Sequence, residues 1–125
     1  MSRPRKILVA DDSEQDVILI QNHLLRQGYA VITAKNGNEA LAQVQAQNPD
    51  LVIMDLMMPE ISGWKACEKM KEDPRYQHIP VLLCSALIQD DGKFSQYEVG
   101  DGYFPKPIDF DHLSSMIQKF LNKKV

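Results

Sequence analysis

The sequence alternates between short apolar runs and longer stretches in which apolar residues recur every three or four positions. The short runs are typical of buried strands, and the longer stretches are typical of amphipathic helices. The predicted strands are Lys6–Ala10, Ala30–Ala34, Leu51–Met54, Val81–Cys84 and Gly102–Phe104. Because strands that alternate with helices indicate βαβ units, we predict a doubly wound α/β domain with a parallel sheet of about five strands.

Glycine and proline mark the ends of the predicted helices. The first helix should end at Gly28, the second before Pro49 and the third before Pro74. The stretch LIQDDGKFSQYEVG, residues 87–100, has Gly92 near its start and little apolar periodicity. We therefore expect the fourth helix to be short or mobile. Regular apolar spacing returns in the last helix, around residues 113–121.

Length and composition narrow the class of protein. A chain of 125 residues with 44% hydrophobic residues suits one globular domain. The net charge of −3 argues against a nucleic-acid-binding face, and no apolar run approaches the ~20 residues that span a bilayer. With no signal peptide pattern, we predict a cytoplasmic protein in which Cys67 and Cys84 are buried, reduced thiols.

Polar residues follow four of the five predicted strands. Asp11 and Asp12 follow the first strand, Asp55 the third, Ser85 the fourth and Lys106 the fifth. The carboxyl ends of parallel strands lie at one edge of the sheet, where α/β proteins bind their ligands. We therefore expect these residues to converge on one site.

The predicted convergence indicates phosphoryl chemistry. Three carboxylates in one pocket need a cation, or one of them must bind a proton. Their oxygen atoms suit Mg²⁺, which uses one or two carboxylates together with waters and phosphate oxygens. Lys106 and the Ser85 hydroxyl can stabilise a phosphoryl group, and Asp55 is then the natural nucleophile that forms an aspartyl phosphate.

Each of these residues alone has an ordinary structural explanation. Asp12 or Ser13 could cap the first helix, Ser85 could be a buried hydroxyl, and Lys106 could be a surface ammonium group. The prediction of a site depends on their joint position at the ends of separate strands.

Four segments, ILVADD, DLVIMDLMMPEISG, IPVLLCSA and GYFPKPI, resemble the receiver domain of two-component response regulators in their order and spacing. The resemblance covers nearly the whole chain, and we expect residues 1–125 to form one such domain. It implies a flavodoxin-like fold with the strand order 2-1-3-4-5, as in single-domain chemotaxis regulators.

The resemblance also implies the metal ligands and the phosphoacceptor. Asp55 matches the phosphoacceptor of the family. Asp11 and Asp12 match the acidic pair that binds Mg²⁺, for which Mn²⁺ is an alternative, and Asp12 is the expected direct ligand. Asp55 and the backbone carbonyl of Met57 match the other protein ligands.

Further matched positions carry the switch. Ser85 matches the hydroxyl that bonds to the phosphoryl oxygen, and Lys106 matches the lysine that pairs with it. Tyr103 matches the aromatic switch residue, and the Lys106–Pro107 peptide matches one that is cis in the family. Pro105 is unusual within a strand and is acceptable at a sheet edge.

Two apolar residues predict a slow loss of the phosphoryl group. In the family, the positions of Met57 and Leu87 flank the path of the attacking water. Apolar side chains there offer no hydrogen bond to orient a water molecule.

The resemblance implies a phosphorylation-controlled signalling switch rather than an enzyme. Its expected phosphodonor is a sensor histidine kinase or a histidine phosphotransfer protein, and the only catalysis is its own phosphorylation and dephosphorylation. A downstream protein should bind the surface of the fourth helix, fifth strand and last helix, with no direct nucleic-acid or membrane contact. Since the chain ends about one helix after Lys106, we expect another protein to supply the output, or the chain to be a fragment of a longer regulator or hybrid kinase.

Three other classes fit the sequence less well. Aspartate-nucleophile phosphatases usually carry Asp-x-Asp after the first strand, where this chain has Asp11-Asp12-Ser13. Flavin- or nucleotide-binding domains need a phosphate loop there, and the aspartate pair would repel phosphate in the absence of metal. A receiver-like scaffold that is never phosphorylated would not need the complete set of acidic, hydroxyl and lysine residues.

Overall fold

The structure is a computed structural model that describes residues 3–86 and 100–122. Within these residues the strands are β1 Lys6–Ala10, β2 Ala30–Ala34, β3 Leu51–Asp55, β4 Val81–Ser85 and β5 Gly102–Pro105. The helices in the same part of the chain are α1 Glu14–Arg26, α2 Gly37–Gln47, α3 Gly63–Lys71 and α4 Phe110–Leu121. Helix α4 is the last predicted helix. The predicted fourth helix and Leu87 lie outside the described residues.

The strands form a parallel sheet with the order β2-β1-β3-β4-β5, which confirms the predicted order. Asp55 is aligned with Cys84, and Ser85 is aligned with Pro105. Strand β5 lies at an edge of the sheet. The backbone N–H that Pro105 lacks is therefore not needed to pair with a further strand among the described residues. This register brings the carboxyl ends of β3, β4 and β5 to the same edge.

Helices cover both faces of the sheet, as the alternating pattern predicts. Helices α2 and α3 pack on one face through residues such as Val44 and Met70. Helices α1 and α4 pack on the other through residues such as Leu24 and Ile117. Strands β1, β3 and β4 are therefore apolar on both sides and hold the site edge on a rigid support.

Ser13, rather than Asp12, is the N-cap of α1. Its hydroxyl oxygen accepts a hydrogen bond from the backbone N–H of Asp16 at 3.3 Å. The cap leaves the carboxylate of Asp12 exposed and available for another role. Ser13 thus has the structural role that the sequence left open between these two residues.

Two further predictions concern the chain as a whole. Cys67 and Cys84 are buried and neither forms a disulfide bond, as expected. No helix within residues 3–86 and 100–122 is long and apolar enough to cross a membrane.

Candidate functional site

Three aspartates meet at the carboxyl edge of the sheet. Asp11 follows β1 and is 2% exposed, Asp55 ends β3 and is 7% exposed, and Asp12 is exposed. One carboxylate oxygen from each lies within 4.8 Å of the others. The structure therefore brings together the three acidic side chains that the strand ends predict.

Backbone contacts fix the orientation of Asp11. Its N–H donates to the carbonyl oxygen of Ala34 at 3.0 Å, which joins the end of β1 to the end of β2. Its Oδ1 accepts the N–H of Ser13 at 2.9 Å. The other oxygen, Oδ2, is 2.8 Å from the Nζ of Lys106. Asp11 is thus held by its neighbours with one oxygen turned towards the site.

Asp55 is fixed on both of its carboxylate oxygens. Oδ1 accepts the backbone N–H of Met57 at 3.2 Å, and Oδ2 accepts from the Nζ of Lys106 at 3.2 Å. Helix α3 begins against the backbone of this residue. A Cβ atom added to Gly63 would lie 1.9 Å from the carbonyl oxygen of Asp55, so only glycine fits at this approach.

Lys106 is the cation at the centre of the site. Within the described residues its ammonium group donates to the carboxylates of Asp11 and Asp16, both at 2.8 Å, and of Asp55 at 3.2 Å. Its backbone N–H donates to the carbonyl oxygen of Ser85 at 3.2 Å, which ties the residue to the end of β4. The Lys106–Pro107 peptide bond is cis, as the resemblance implies.

These contacts change the explanation for the buried acidic residues. The sequence predicts that a divalent ion neutralises them, whereas in the structure the ammonium group of Lys106 contacts both buried carboxylates. Asp12, the third member, remains at the surface, where water stabilises its charge.

Burial and charge act in opposite directions on Asp55 and Lys106. Burial raises the pKa of Asp55 to about 6, and the negative charge of Asp11 adds to the effect, while Lys106 and the Met57 N–H lower it. Burial by itself would lower the pKa of Lys106. Hydrogen bonds to Asp11 and Asp16 and the charge of Asp55 outweigh that effect and raise this pKa above its usual range. The lysine therefore stays charged, and any further cation would stabilise the charged form of the Asp55 carboxylate.

The residues present fit a magnesium ion. Carboxylate oxygens are the ligands that Mg²⁺ prefers, and Mg²⁺ retains several waters when bound. Asp12 is exposed, and a cavity of about 380 Å³ borders Asp11 and Asp12, so water has access to this side of the cluster. Asp11, Asp12 and Asp55 are the side chains that would hold the ion.

The other predicted residues lie around this centre. Ser85 is 3% exposed at the end of β4, directly beside the strand that leads to Lys106. Tyr103 is half-buried in β5, and its hydroxyl oxygen accepts the N–H of Gly100 at 3.0 Å. The side chain of Met57 is 56% exposed, which suits a residue at the mouth of the site. Its predicted partner, Leu87, is outside the described residues.

Asp16 is a site residue that the sequence analysis missed. It lies in the first turn of α1 and contacts Lys106 as closely as Asp11 does. An aspartate in the first turn of a helix is common because its negative charge interacts favourably with the helix dipole. Nothing in the sequence pattern therefore distinguishes Asp16 from an ordinary first-turn residue. One signal was available. Asp16 lies in the first turn of α1, only four residues after Asp12, so it is at the same end of the helix as the acidic pair.

This arrangement combines a fixed carboxylate, a permanent cation and an acidic cluster with oxygen ligands. The carboxylate of Asp55 can act as a nucleophile, and Lys106 can neutralise negative charge that develops beside it. Asp11 and Asp12 add the negative charge that attracts a divalent ion. Such a set is suited to receive a phosphoryl group.

Known proteins match both the sequence and the fold. The sequence model described as "Response regulator receiver domain" matches residues 7–118. The alkaline phosphatase synthesis transcriptional regulatory protein PhoP of Bacillus subtilis is 34% identical over 95% of this chain and 49% of its own length. Response regulator PleD of Caulobacter vibrioides is 40% identical over 83% of this chain and 23% of its own length.

Among solved structures, chemotaxis protein CheY4 of Vibrio cholerae superimposes with a TM-score of 0.84 and 28% identity, covering 94% of this chain and 99% of that one. This chain spans about half of PhoP, at 49%, and about a quarter of PleD, at 23%. The match of the family's sequence model over residues 7–118 and the shared sheet order agree with each other. The chain belongs to the response regulator receiver domain family of two-component systems.

Proposed function

We propose that this protein is a phosphorylation-controlled switch in which Asp55 accepts a phosphoryl group in a reaction that requires Mg²⁺. The observation that carries the proposal is the placement of the ammonium of Lys106 between Asp11 and Asp55, 2.8 Å and 3.2 Å from their Oδ2 atoms. A cation so close to a fixed carboxylate is positioned to neutralise the oxygens of a phosphoryl group added to that carboxylate.

The proposed reaction is a displacement at phosphorus. An oxygen of the Asp55 carboxylate forms a bond to the phosphorus of a phosphohistidine, and the bond from phosphorus to the donor nitrogen breaks. The electron pair of that bond leaves with the imidazole, which is neutral when its other nitrogen carries a proton. The Met57 N–H holds Oδ1 of Asp55 in place, and Lys106 neutralises charge on the transferred group. Bound Mg²⁺ would supply further neutralisation of the phosphoryl oxygens.

The change of state is proposed to start at Ser85 and Tyr103. A phosphoryl group adds negative charge and three acceptor oxygens beside β4. The Ser85 hydroxyl would move towards these oxygens, and the chain after β4 would follow. Tyr103 would then leave its hydrogen bond with the N–H of Gly100, now 3.0 Å long, and turn inwards. The family resemblance and the position of both residues on adjacent strands support this proposal.

The proposed partners follow from this chemistry. The donor is the phosphohistidine of a sensor histidine kinase or of a histidine phosphotransfer protein. The receiver of the signal is a protein that binds the surface formed by the segment 87–99, β5 and α4. We propose that the domain catalyses only its own phosphorylation and the later hydrolysis of its aspartyl phosphate.

Amide hydrogen exchange with and without Mg²⁺ and beryllofluoride, a phosphoryl mimic, tests the switch. In wild type we expect changed exchange between residues 87 and 103, and Asp55→Asn should remove the change. Asp50→Asn is the matched control, because Asp50 lies at the opposite end of β3, where its Oδ2 accepts the N–H of Lys6. A wild type that binds beryllofluoride without any change between residues 87 and 103 would disprove the proposed switch.

A further inference from the structure

We propose that Asp16 is a positioning residue whose carboxylate keeps the ammonium group of Lys106 at the site after a metal ion has bound. The inference rests on the proposed function, because it concerns how the lysine reaches the phosphoryl group. It adds a carboxylate from α1 to a set of site residues that otherwise follow the ends of the strands.

The contacts of Lys106 are the starting point. An ammonium group has three N–H donors, and within the described part of the chain three carboxylates accept from it. The Asp16 contact is 2.8 Å long, as short as the Asp11 contact and shorter than the 3.2 Å Asp55 contact. Asp16 is thus a full partner of the lysine rather than a distant charge.

The three carboxylates differ in what else they do. Asp11 and Asp55 belong, with Asp12, to the cluster whose oxygens lie within 4.8 Å of one another. Asp16 is not a member of that cluster among the residues that the structure describes. A metal ion at the cluster would therefore engage two of the lysine's three partners and leave Asp16 untouched.

A divalent cation held by the cluster would also repel the ammonium group of Lys106. Repulsion between positive charges is strong where burial limits screening. The side chain of Lys106 is 17% exposed, so little water is available to weaken it. Asp16 provides the attraction that opposes this repulsion.

Anchoring matters because the lysine side chain is flexible. Free rotation about its four-carbon stem gives the side chain conformational entropy, which is lost when the ammonium is held in one place. With Asp16 in contact, part of this loss has already occurred before the phosphoryl group arrives. Asp16 itself is held by its position in the capped first turn of α1, where its N–H donates to Ser13.

A purely structural role for Asp16 makes a different prediction. An aspartate in the first turn stabilises a helix through the dipole, and Asp111 is placed in the same way at the start of α4. If that were the whole role, Asp16→Asn and Asp111→Asn would each lower stability slightly and leave binding at the site unchanged. If Asp16 positions Lys106, only Asp16→Asn changes binding.

The test measures beryllofluoride affinity at saturating Mg²⁺ in a double-mutant cycle of Asp16→Asn and Lys106→Met, with Asp111→Asn as the control. We expect Asp16→Asn to weaken binding about fivefold, a discounted value because the Asp16 side chain is 36% exposed. In the Lys106→Met background it should have no further effect. Asp16→Glu should restore part of the loss, and Asp111→Asn should bind as wild type does.

Urea unfolding and the Mg²⁺ affinity of each variant show whether a loss comes from misfolding or from a damaged metal site. Asp16→Asn that binds as tightly as wild type, or more tightly, overturns the inference, as does an equal loss in the Lys106→Met background. Should Asp16→Asn fail to fold, Asp16→Glu decides, because a loss of binding that is equal with Lys106 present and with Lys106→Met contradicts positioning through the lysine. A wild type that does not bind beryllofluoride would instead refute the proposed function.

Discussion

The Nζ of Lys106 lies 3.2 Å from Oδ2 of Asp55, and the same nitrogen lies 2.8 Å from Oδ2 of Asp11. The phosphoacceptor proposed for this chain is thus already paired with the cation that is proposed to hold the phosphoryl group. Even so, burial and the charge of Asp11 outweigh this pairing and raise the pKa of Asp55 to about 6.

The raised pKa predicts how Asp55 affects stability. Folding favours its neutral form, so this contribution is fully present below the unfolded pKa of 3.8 and is lost as the pH rises through about 6. In the absence of metal, we expect Asp55→Asn to be more stable than wild type by up to about 3 kcal/mol at a pH of about 7.5. The advantage should fall to about 1 kcal/mol at a pH of about 4.5 and approach zero only below the unfolded pKa of 3.8, and urea unfolding with a chelator measures it.

Asp73→Asn is the control, because the pKa of Asp73 is shifted in the opposite direction to that of Asp55. The hydrogen bonds from Arg75 lower the pKa of Asp73, so its charged form favours folding and its removal should not stabilise the protein at neutral pH. Saturating Mg²⁺ should narrow the gap between wild type and Asp55→Asn. Equal stability of these two proteins at neutral pH without metal would show that the charge of Asp55 is not a burden on the fold.

Gly63 predicts a link between backbone packing and the site. A Cβ at this position would lie 1.9 Å from the carbonyl oxygen of Asp55, and this backbone atom cannot rotate away. We expect Gly63→Ala to cost about 2 kcal/mol or more in the free energy of unfolding, and to weaken beryllofluoride binding because Asp55 must shift.

Gly28→Ala is the matched control for this substitution. Gly28 has a φ of +91°, and a Cβ added there would have nothing within 4 Å, so the same change introduces backbone strain without a clash. It should cost about 1 kcal/mol and leave beryllofluoride affinity unchanged. If Gly63→Ala matched this control in both measurements, the start of α3 would not be what fixes the position of Asp55.

Much of the fold was predictable because the apolar pattern and the stop signals agree with each other. The first two strands have their predicted bounds, while β3, β4 and β5 each extend one residue further, to Asp55, Ser85 and Pro105. The apolar pattern stops at the last apolar residue, whereas the ladder of hydrogen bonds continues. For example, the Leu56 N–H donates to the carbonyl oxygen of Cys84 at 2.9 Å.

The convergence of polar residues at the strand ends was also predictable, because parallel strands share an edge. The carboxylates that contact Lys106 could not be predicted in the same way. The number of carboxylates that Lys106 contacts depends on how α1 is placed relative to the end of β5. Asp16 and Lys106 are 90 positions apart in the sequence. Asp16 was missed because its position in the first turn already explains an acidic residue.

Met57 and Leu87 predict a long-lived aspartyl phosphate. The side chain of Met57 is 56% exposed beside the site and has no hydrogen bond to offer a water molecule. We expect the variant with both Met57→Asn and Leu87→Glu to lose its phosphoryl group about tenfold faster than wild type, because polar groups can orient the attacking water. The measurement is the decay of phosphoprotein after the donor has been removed.

Leu25→Asn is the control for a change of surface polarity, since Leu25 is 50% exposed near the end of α1, away from the acidic cluster. It should decay as wild type does. An unchanged rate in the Met57 and Leu87 variant, with folding and Mg²⁺ affinity intact, would show that these side chains do not set the lifetime.

The central claim is that Asp55 accepts the phosphoryl group with the help of Mg²⁺, and intact mass measurement tests it most directly. Wild type, Asp55→Asn and the control Asp50→Asn are incubated with phosphoramidate and Mg²⁺, with and without a chelator. We expect wild type and Asp50→Asn to gain the mass of one phosphoryl group only when Mg²⁺ is free, and Asp55→Asn to gain none. A phosphoryl group on Asp55→Asn, or full phosphorylation of wild type in the presence of the chelator, would contradict the account.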